Sequence, residues 1–184
     1  MTIALVAISV AVYFLGPQLW GPLWRYTLGL IPGLGFEEPW RWITSGFAHH
    51  DLIHLGINML VLFQLGSFVE GVVGGRRMAA IYGVSLLGGS AAIVAFGTAN
   101  SLHLGASGAV FGLFAAYAIL GRRLHLAVGP TLVLPVLWLF SGFFIPGISW
   151  QGHLGGVIAG ALVTLALLAK AARSRPTRPQ ASRR

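Results

Sequence analysis

The chain has 184 residues, of which 56% are hydrophobic and only 9% are charged, and its mean hydropathy is +0.81. Because about a quarter of the residues of a soluble domain are charged, this composition excludes an ordinary soluble globule and predicts a polytopic membrane protein. The net charge of +8 does not indicate nucleic-acid binding, because the basic residues lie in hydrophilic connections and in the tail, where they act as topology signals.

The first apolar segment, Ile3 to Leu15, is shorter than the ~20 residues that a helix needs to cross a bilayer. A cleaved signal peptide is the alternative, but the segment lacks a basic start and a small-x-small cleavage site before Pro17. We therefore expect a retained first helix. The connection over residues 16–44 is rich in Trp, Tyr and Pro, which predicts a folded loop at the membrane interface.

Five further apolar segments follow, each bounded by charge, Gly or Pro. They run from Leu52 to Val73, Met78 to Phe96, Leu104 to Leu120, Leu126 to Ile145 and His153 to Ala172. Together with the first segment they predict an all-α membrane bundle of six transmembrane helices.

The distribution of positive charge supports this count. All but Arg25 and Arg41 of the 12 Lys and Arg residues fall on one side of a six-helix bundle, which predicts that both termini are cytoplasmic. These basic clusters would face anionic lipids of the bilayer. Residues 1–172 are expected to form the membrane core, and the proline-rich, charged residues 173–184 a disordered tail.

Two ionisable or nucleophilic side chains stand out within the apolar segments, Ser107 and His153. Both lie toward the external end of their predicted helices, and small residues recur beside them at every fourth position: Gly108 and Gly112, then Gly152, Gly156 and Gly160. Such faces allow helices to approach closely, and packing alone, with Ser107 bonded to its own helix, is the simpler interpretation. If the two faces pack together, however, the imidazole can activate the hydroxyl as a nucleophile.

The acidic residues do not supply a third member of a catalytic triad. Glu37, Glu38 and Asp51 belong to the first loop and its junction, and Glu70 lies near the opposite membrane face. A Ser-His dyad is therefore the economical hypothesis.

The second span opens with a polar run that contains His49, His50, His54 and Asn58. The i, i+4 spacing of His54 and Asn58 places them on one helix face, where they could donate to an oxyanion beside the Ser107 amide. A buried hydrogen-bonded pair is the alternative. A metal site at His50 and His54 is less favoured, because the run lacks the glutamate of HExxH and the chain has no cysteine.

These residues resemble the rhomboid family of intramembrane serine proteases in four motifs that occur in family order. The motifs are Glu38 to Arg41 (E-x-W-R), then His49, His54 and Asn58 (H-x(4)-H-x(3)-N), then Gly105 to Gly108 (GASG) and finally His153, Gly156 and Gly160 (H-x-x-G-x-x-x-G). The resemblance covers essentially the whole predicted core.

The resemblance implies that Ser107 is the nucleophile and His153 the general base, with His54, Asn58 and the Ser107 amide as the oxyanion hole. Phe111 occupies the position of an aromatic residue that packs on the catalytic histidine. The loop with Trp40 and Arg41 resembles the family's membrane-embedded loop, and the fifth helix with the cap after it resembles its substrate gate. The supporting residues would be His49, Gly105, Gly108, Phe111, Gly156, Gly160, Glu38, Trp40 and Arg41.

The chain then looks like the minimal six-helix bacterial form, in the plasma membrane, without a cofactor, a metal or an obligatory partner. Its substrates would be transmembrane proteins, cut near the external face. An inactive relative that binds membrane clients is one alternative, although such proteins usually lack the serine or the histidine. A small transporter or cofactor-binding bundle is another, but we find neither an internal repeat nor polar residues across the midplane.

Overall fold

The computed structural model describes residues 1–144 and 147–173, and the regular structure in these ranges is helical apart from one isolated β-bridge. The helices are α1 (Thr2–Trp20), α2 (Trp24–Leu28), α3 (Arg41–Thr44), α4 (Leu52–Val73), α5 (Gly75–Phe96), α6 (Ser107–Arg123), α7 (Gly129–Ser141) and α8 (Trp150–Arg173), with a 3-10 turn at Pro32–Leu34. The expected all-α class is confirmed. The predicted tail beyond residue 173 and the predicted end of the fifth span at Ile145 lie outside the described residues.

Four of the helices, α1, α4, α5 and α8, are long and apolar enough to cross a membrane by length and composition. Helices α6 and α7 are shorter, with 17 and 13 residues. The count of six spans therefore remains a prediction.

Predicted boundaries differ from the structure at several helices: α5 begins at Gly75 instead of Met78, α6 at Ser107 instead of Leu104, and α8 at Trp150 instead of His153. Helix α1 continues through Pro17 and ends at Trp20, so that the loop begins at Gly21 instead of residue 16. Its last turn is held by Trp24, whose indole lies so close to Gly16 that an added Cβ there would be 2.7 Å from it. Helix α7 begins at Gly129 and not at Leu126, because Pro130 occupies its first turn, where a missing N–H costs no helical hydrogen bond.

The apolar core lies between α4, α5 and α6. Its fully buried side chains include Leu62 on α4, Ile81 on α5 and Leu113 on α6. Helix α8 joins this core through a row of small residues, and the row positions the candidate site described below.

The connection between α1 and α4 is folded around one buried arginine. Arg41 donates to the Glu38 carboxylate, to the Tyr26 carbonyl, and to the Gly29 carbonyl at 2.6 Å. Two backbone hydrogen bonds, of 3.0 and 2.8 Å, then tie Leu30 to His103 in the connection between α5 and α6. The first loop is therefore fastened to the segment that leads into Ser107.

Candidate active site

Ser107 and His153 lie at the N-terminal ends of two helices that pack against each other. Ser107 is the first residue of α6, and His153 lies in the first turn of α8. The Nε2 atom of His153 is 3.0 Å from the Ser107 Oγ, which is hydrogen-bond distance. His153 is only 3% exposed, so this contact is sheltered from solvent.

Backbone contacts between glycines fix this geometry. A Cβ added at Gly156 would run into the carbonyl oxygen of Gly108, and one added at Gly160 would lie 2.5 Å from the Cα of Gly112. The two glycine faces expected from the sequence therefore pack directly against each other. No side chain larger than hydrogen fits between them, which holds Ser107 and His153 at a distance set by main chain.

The sequence analysis missed a third helix in this contact. On α5, a Cβ added at Gly88 would meet Gly155, and one added at Gly89 would lie 2.8 Å from the Gly152 carbonyl oxygen. Adjacent glycines in an apolar helix are the signal that could have revealed this face. We call the contact of α5, α6 and α8 through Gly88, Gly89, Gly108, Gly112, Gly152, Gly155, Gly156 and Gly160 the glycine seam.

Phe111 holds the His153 ring from one side. The two rings are stacked, with centroids 4.2 Å apart and an interplanar angle of 25°. The Nδ1 atom of His153 and the Oγ of Ser149 are buried without a hydrogen-bond partner among the described residues. Within those residues no carboxylate bonds to His153, and the ring is oriented by stacking and by Ser107.

His54 lies over the turn that precedes Ser107. Gly105 has a φ of +116°, a conformation that residues with a Cβ rarely adopt. A Cβ there would also lie 2.7 Å from the Cε1 of His54. Gly105 thus allows the imidazole of His54 to lie directly against the backbone beside Ser107.

His49 contacts the same turn through the Ala106 amide. Its Nε2 accepts a long hydrogen bond of 3.4 Å from the Ala106 amide, and its Nδ1 lies 3.2 Å from the Phe47 carbonyl oxygen, to which it donates. The side chain is fully buried, and this burial lowers its pKa to about 4. A neutral His49 with its proton on Nδ1 satisfies both contacts.

Asn58 lies one helical turn beyond His54 on α4 and is 6% exposed. Its Nδ2 donates to the His54 carbonyl at 2.9 Å, which uses one of its two amide hydrogens. Among the described residues it makes no hydrogen bond to Ser107. The helix itself is capped by Asp51, whose carboxylate accepts from the His54 amide at 2.8 Å, and this bond lowers the pKa of Asp51.

The loop residues of the E-x-W-R motif do not reach Ser107. Glu38 and Arg41 pair with each other, and the exposed Trp40 donates from its indole to the Thr27 carbonyl at 3.4 Å. Their contribution to the site is indirect, through the loop that Arg41 folds and that Leu30 fastens to His103.

One cavity adjoins Ser107, and a second cavity shares lining residues with the first. The inner one, of about 30 Å³, is lined by Ser107 and its neighbours, and the outer one, of about 330 Å³, lies between residues 98–103 and the segments 142–144 and 147–151. His103 and Ser149 line both cavities. Neither residue was singled out in the sequence, because an isolated polar residue in a loop has no periodicity to mark it.

Over residues 1–144 and 147–173, no group of three or more His, Cys, Asp or Glu side chains is arranged to hold a metal ion. Three histidines before and at the start of α4 nevertheless lie close together. The ring centroids of His49 and His54 are 5.1 Å apart, and those of His50 and His54 are 5.9 Å apart. Burial lowers the pKa of His50, so that it stays neutral at neutral pH.

Comparison with known proteins identifies the family. The model of the Rhomboid domain matches residues 37–170, most of the chain and all four motifs of the site. The chain belongs to the rhomboid family. A rhomboid is a multi-pass integral membrane protein, in agreement with the four long apolar helices.

Relatives of this rhomboid come from bacteria and plants. Rhomboid protease GluP of Bacillus subtilis is 35% identical over 135 residues, which cover 71% of this chain and 26% of the relative. RHOMBOID-like protein 4 of Arabidopsis thaliana is 34% identical over 140 residues, 72% of this chain and 35% of the relative. Rhomboid protease GlpG of Serratia proteamaculans is 30% identical over 172 residues, 89% of this chain and 61% of the relative. The rhomboid described here therefore spans less than half of the length of the first two.

Proposed function

We propose that this rhomboid is an intramembrane serine endopeptidase that cleaves transmembrane protein substrates with a Ser107–His153 dyad. The observation that carries the proposal is the 3.0 Å contact between the half-buried Ser107 Oγ and the Nε2 of the buried His153, on two helices whose backbones are in direct contact. A hydroxyl that donates to a neutral imidazole is the arrangement that activates a serine nucleophile.

In the proposed reaction the Ser107 Oγ attacks the carbonyl carbon of the scissile peptide bond, and its proton passes to the His153 Nε2. The carbon–nitrogen bond then breaks, and Nε2 returns the proton to the leaving amine. Water attacks the acyl-serine in the same way, with His153 taking its proton and giving it back to the Ser107 Oγ.

The oxyanion would be bound by the Ser107 amide, His54 and Asn58. The Ser107 amide is available because it begins α6, where the first amides have no helical acceptor. The His54 ring lies against Gly105 beside it, and Asn58 keeps one amide hydrogen free. These groups would act as preorganised donors in a site with little water.

We further propose the six-span topology, with residues 1–172 as one protease core, the first loop at the external interface, and both termini with residues 173–184 in the cytoplasm of a bacterium. The 17 residues of α6 fall short of a full crossing, and the half-buried residues 101–105 with the buried Ala106 would complete the span. No cofactor, metal or obligatory partner enters the proposed reaction.

The test is labelling of the detergent-solubilised protein by a fluorophosphonate serine probe, together with cleavage of a transmembrane reporter in liposomes. Wild type should label and cleave, whereas Ser107→Ala and His153→Ala should do neither while keeping the thermal midpoint of wild type within a few degrees. Ser90→Ala is the matched control for another buried serine, and it should still be labelled. Turnover that persists in Ser107→Ala or His153→Ala would refute the dyad. A folded wild type that neither labels nor cleaves would favour the client-binding alternative.

A further inference from the structure

His103 stands at the boundary between the nucleophile and the outer cavity. It lies four residues before Ser107, in the connection between α5 and α6, and it lines both cavities. When the carbonyl carbon of the scissile bond reaches Ser107, a substrate residue close to that bond would lie near His103. The role of His103 inferred below therefore rests on the proposed proteolytic function.

Both the backbone and the ring of His103 are held in place. The backbone amide and carbonyl are used by the two hydrogen bonds to Leu30. The Nε2 atom lies 2.7 Å from the Ser101 Oγ, and that oxygen lies 2.6 Å from the Thr98 carbonyl oxygen. A side chain anchored at both ends is suited to recognise a ligand, because little freedom remains to be lost on binding.

These two short contacts fix the tautomer of His103. Two oxygens at 2.6 Å need a hydrogen between them, so the single hydroxyl hydrogen of Ser101 must go to the Thr98 carbonyl. The Ser101 Oγ can then only accept from Nε2, which places the ring proton on Nε2 and leaves a lone pair on Nδ1. Burial, reinforced by the nearby His50, lowers the pKa of His103 and so keeps the ring neutral at neutral pH.

The outer cavity has two unlike walls. Phe143, Phe144, Ile148 and Trp150 form an apolar wall, in which Phe143 and Trp150 stack with centroids 4.7 Å apart. His103 and Ser101 belong to a polar wall, and none of the described residues that line the cavity is Asp, Glu, Lys or Arg. The volume of about 330 Å³ is enough for one or two amino-acid side chains. A charged side chain would find no side-chain partner of opposite charge among the described lining residues.

We propose that His103 is a specificity-determining residue, which accepts a hydrogen bond on Nδ1 from an uncharged donor side chain of the substrate, such as a threonine hydroxyl, in the outer cavity. The apolar wall contacts the carbon atoms of that side chain, and His103 distinguishes it from an apolar side chain of the same shape. A site that hydrogen-bonds a substrate group discriminates against analogues that lack this group.

Threonine and valine provide the test, since they have nearly the same shape and differ by the hydroxyl. The cleavage site of a transmembrane reporter is first mapped with wild type in liposomes. Each of the four residues on either side of the scissile bond is then made Thr or Val, and kcat/KM is measured for each pair. At one position we expect wild type to cleave the Thr reporter about 3- to 10-fold faster than the Val reporter, the worth of one hydrogen bond.

Two variants of His103 distinguish the role of Nδ1 from that of Nε2. His103→Asn keeps an acceptor near the place of Nδ1 and should retain the Thr preference. His103→Gln keeps a donor to Ser101 at the place of Nε2 but has no acceptor near Nδ1, and should cleave both reporters equally. Because each ratio compares two substrates of one enzyme, a general loss of activity in either variant cancels.

The inference is overturned if wild type shows no Thr preference at any of the positions, or if His103→Gln keeps the wild-type ratio. Either result leaves the proposed protease intact, because both reporters are still cut in a Ser107-dependent way. If wild type cuts neither reporter at any position, the proposed function fails and this inference fails with it.

Discussion

Helices α7 and α8 follow each other in the chain, but they are attached to the molecule in opposite ways. Helix α8 buries a row of small residues at every fourth position: Gly152, Gly156, Gly160 and Thr164. Helix α7 buries no residue between Gly129 and Phe140, and Leu134 in its middle is 76% exposed. One helix is held by backbone contacts, and the other is mostly open to its surroundings.

This difference separates the positioning of the proposed catalytic pair, Ser107 and His153, from access to it. The glycine seam holds His153 against Ser107, whereas the outer cavity is bounded by residues that connect α7 to α8. Movement of α7 can therefore widen the outer cavity without disturbing the dyad. The role of a substrate gate, which the family resemblance implies for the fifth helix, stays a prediction.

The strongest test of the comparison is a single methyl group in the glycine seam. Gly156→Ala places a Cβ against the Gly108 carbonyl, so α8 must move away from α6 and carry His153 with it. We expect fluorophosphonate labelling of Ser107 to disappear and overpacking to cost about 1–3 kcal/mol of stability. Gly83→Ala on α5 is the matched control, because its Cβ would meet nothing within 4 Å. Equal labelling of the two variants would show that the glycine seam does not position the dyad.

A pair of leucines sharpens the contrast in stability. Leu113 on α6 is fully buried, so Leu113→Ala should lower the free energy of unfolding by about 2–5 kcal/mol. Leu134→Ala on α7 removes the same atoms from an exposed face and should change it by less than about 0.5 kcal/mol. The thermal midpoints of the two variants, measured in the same detergent as wild type, check both stability changes. A similar loss in the two variants would mean that α7 is packed as tightly as the core.

Acid should lower the free energy of unfolding through protonation of His49. Its pKa is about 4 in the fold and 6.5 when unfolded, so the unfolded chain binds the proton more readily. Stability should therefore be greatest above pH 6.5 and fall by up to about 3 kcal/mol as the pH drops from 6.5 to 4. His49→Gln keeps an acceptor for the Ala106 amide but does not titrate. Its thermal midpoint should fall less over the same range, and an identical fall would assign the acid sensitivity to another group.

The smallest expected effect concerns the stack on His153. Phe111→Leu removes the aromatic contact with His153 but keeps an apolar side chain. The lost ring contact is worth about 0.5–1.5 kcal/mol, and we expect kcat to fall by about 2- to 10-fold. Phe63→Leu, on the exposed face of α4, is the control. If the two variants turn over at the same rate, Phe111 does not orient the imidazole.

The sequence predicts which helix faces meet at the site better than it predicts the residues around the site. The four-residue spacing of Gly108 and Gly112, and of Gly156 and Gly160, predicts two faces that can meet, because the absence of side chains is visible in the sequence itself. The third face, on α5, does not follow the four-residue spacing, because Gly88 and Gly89 are adjacent, and only their adjacency marks it in the sequence. The position of His103 depends on the hydrogen bonds to Leu30, between residues far apart in the chain, and no local pattern encodes them.

The boundaries of the helices were harder to predict for a related reason. The apolar run before Ser107 continues without a break from Leu104, yet α6 begins only at Ser107, because Gly105 turns the chain with its positive φ and accommodates His54. At α1 the opposite happens: Pro17 suggests an end, but Trp24 packs on Gly16 and the helix continues. In both places a tertiary contact decides the outcome.

The order of synthesis gives the glycine seam one more consequence. Ser107 leaves the ribosome 46 residues before His153, and the dyad cannot form until α8 has been made and inserted beside α5 and α6. At about 5–20 residues per second, the nascent chain spends roughly 2–10 s with a serine that has no base. In the proposed mechanism, insertion of α8 is therefore the step that completes the dyad.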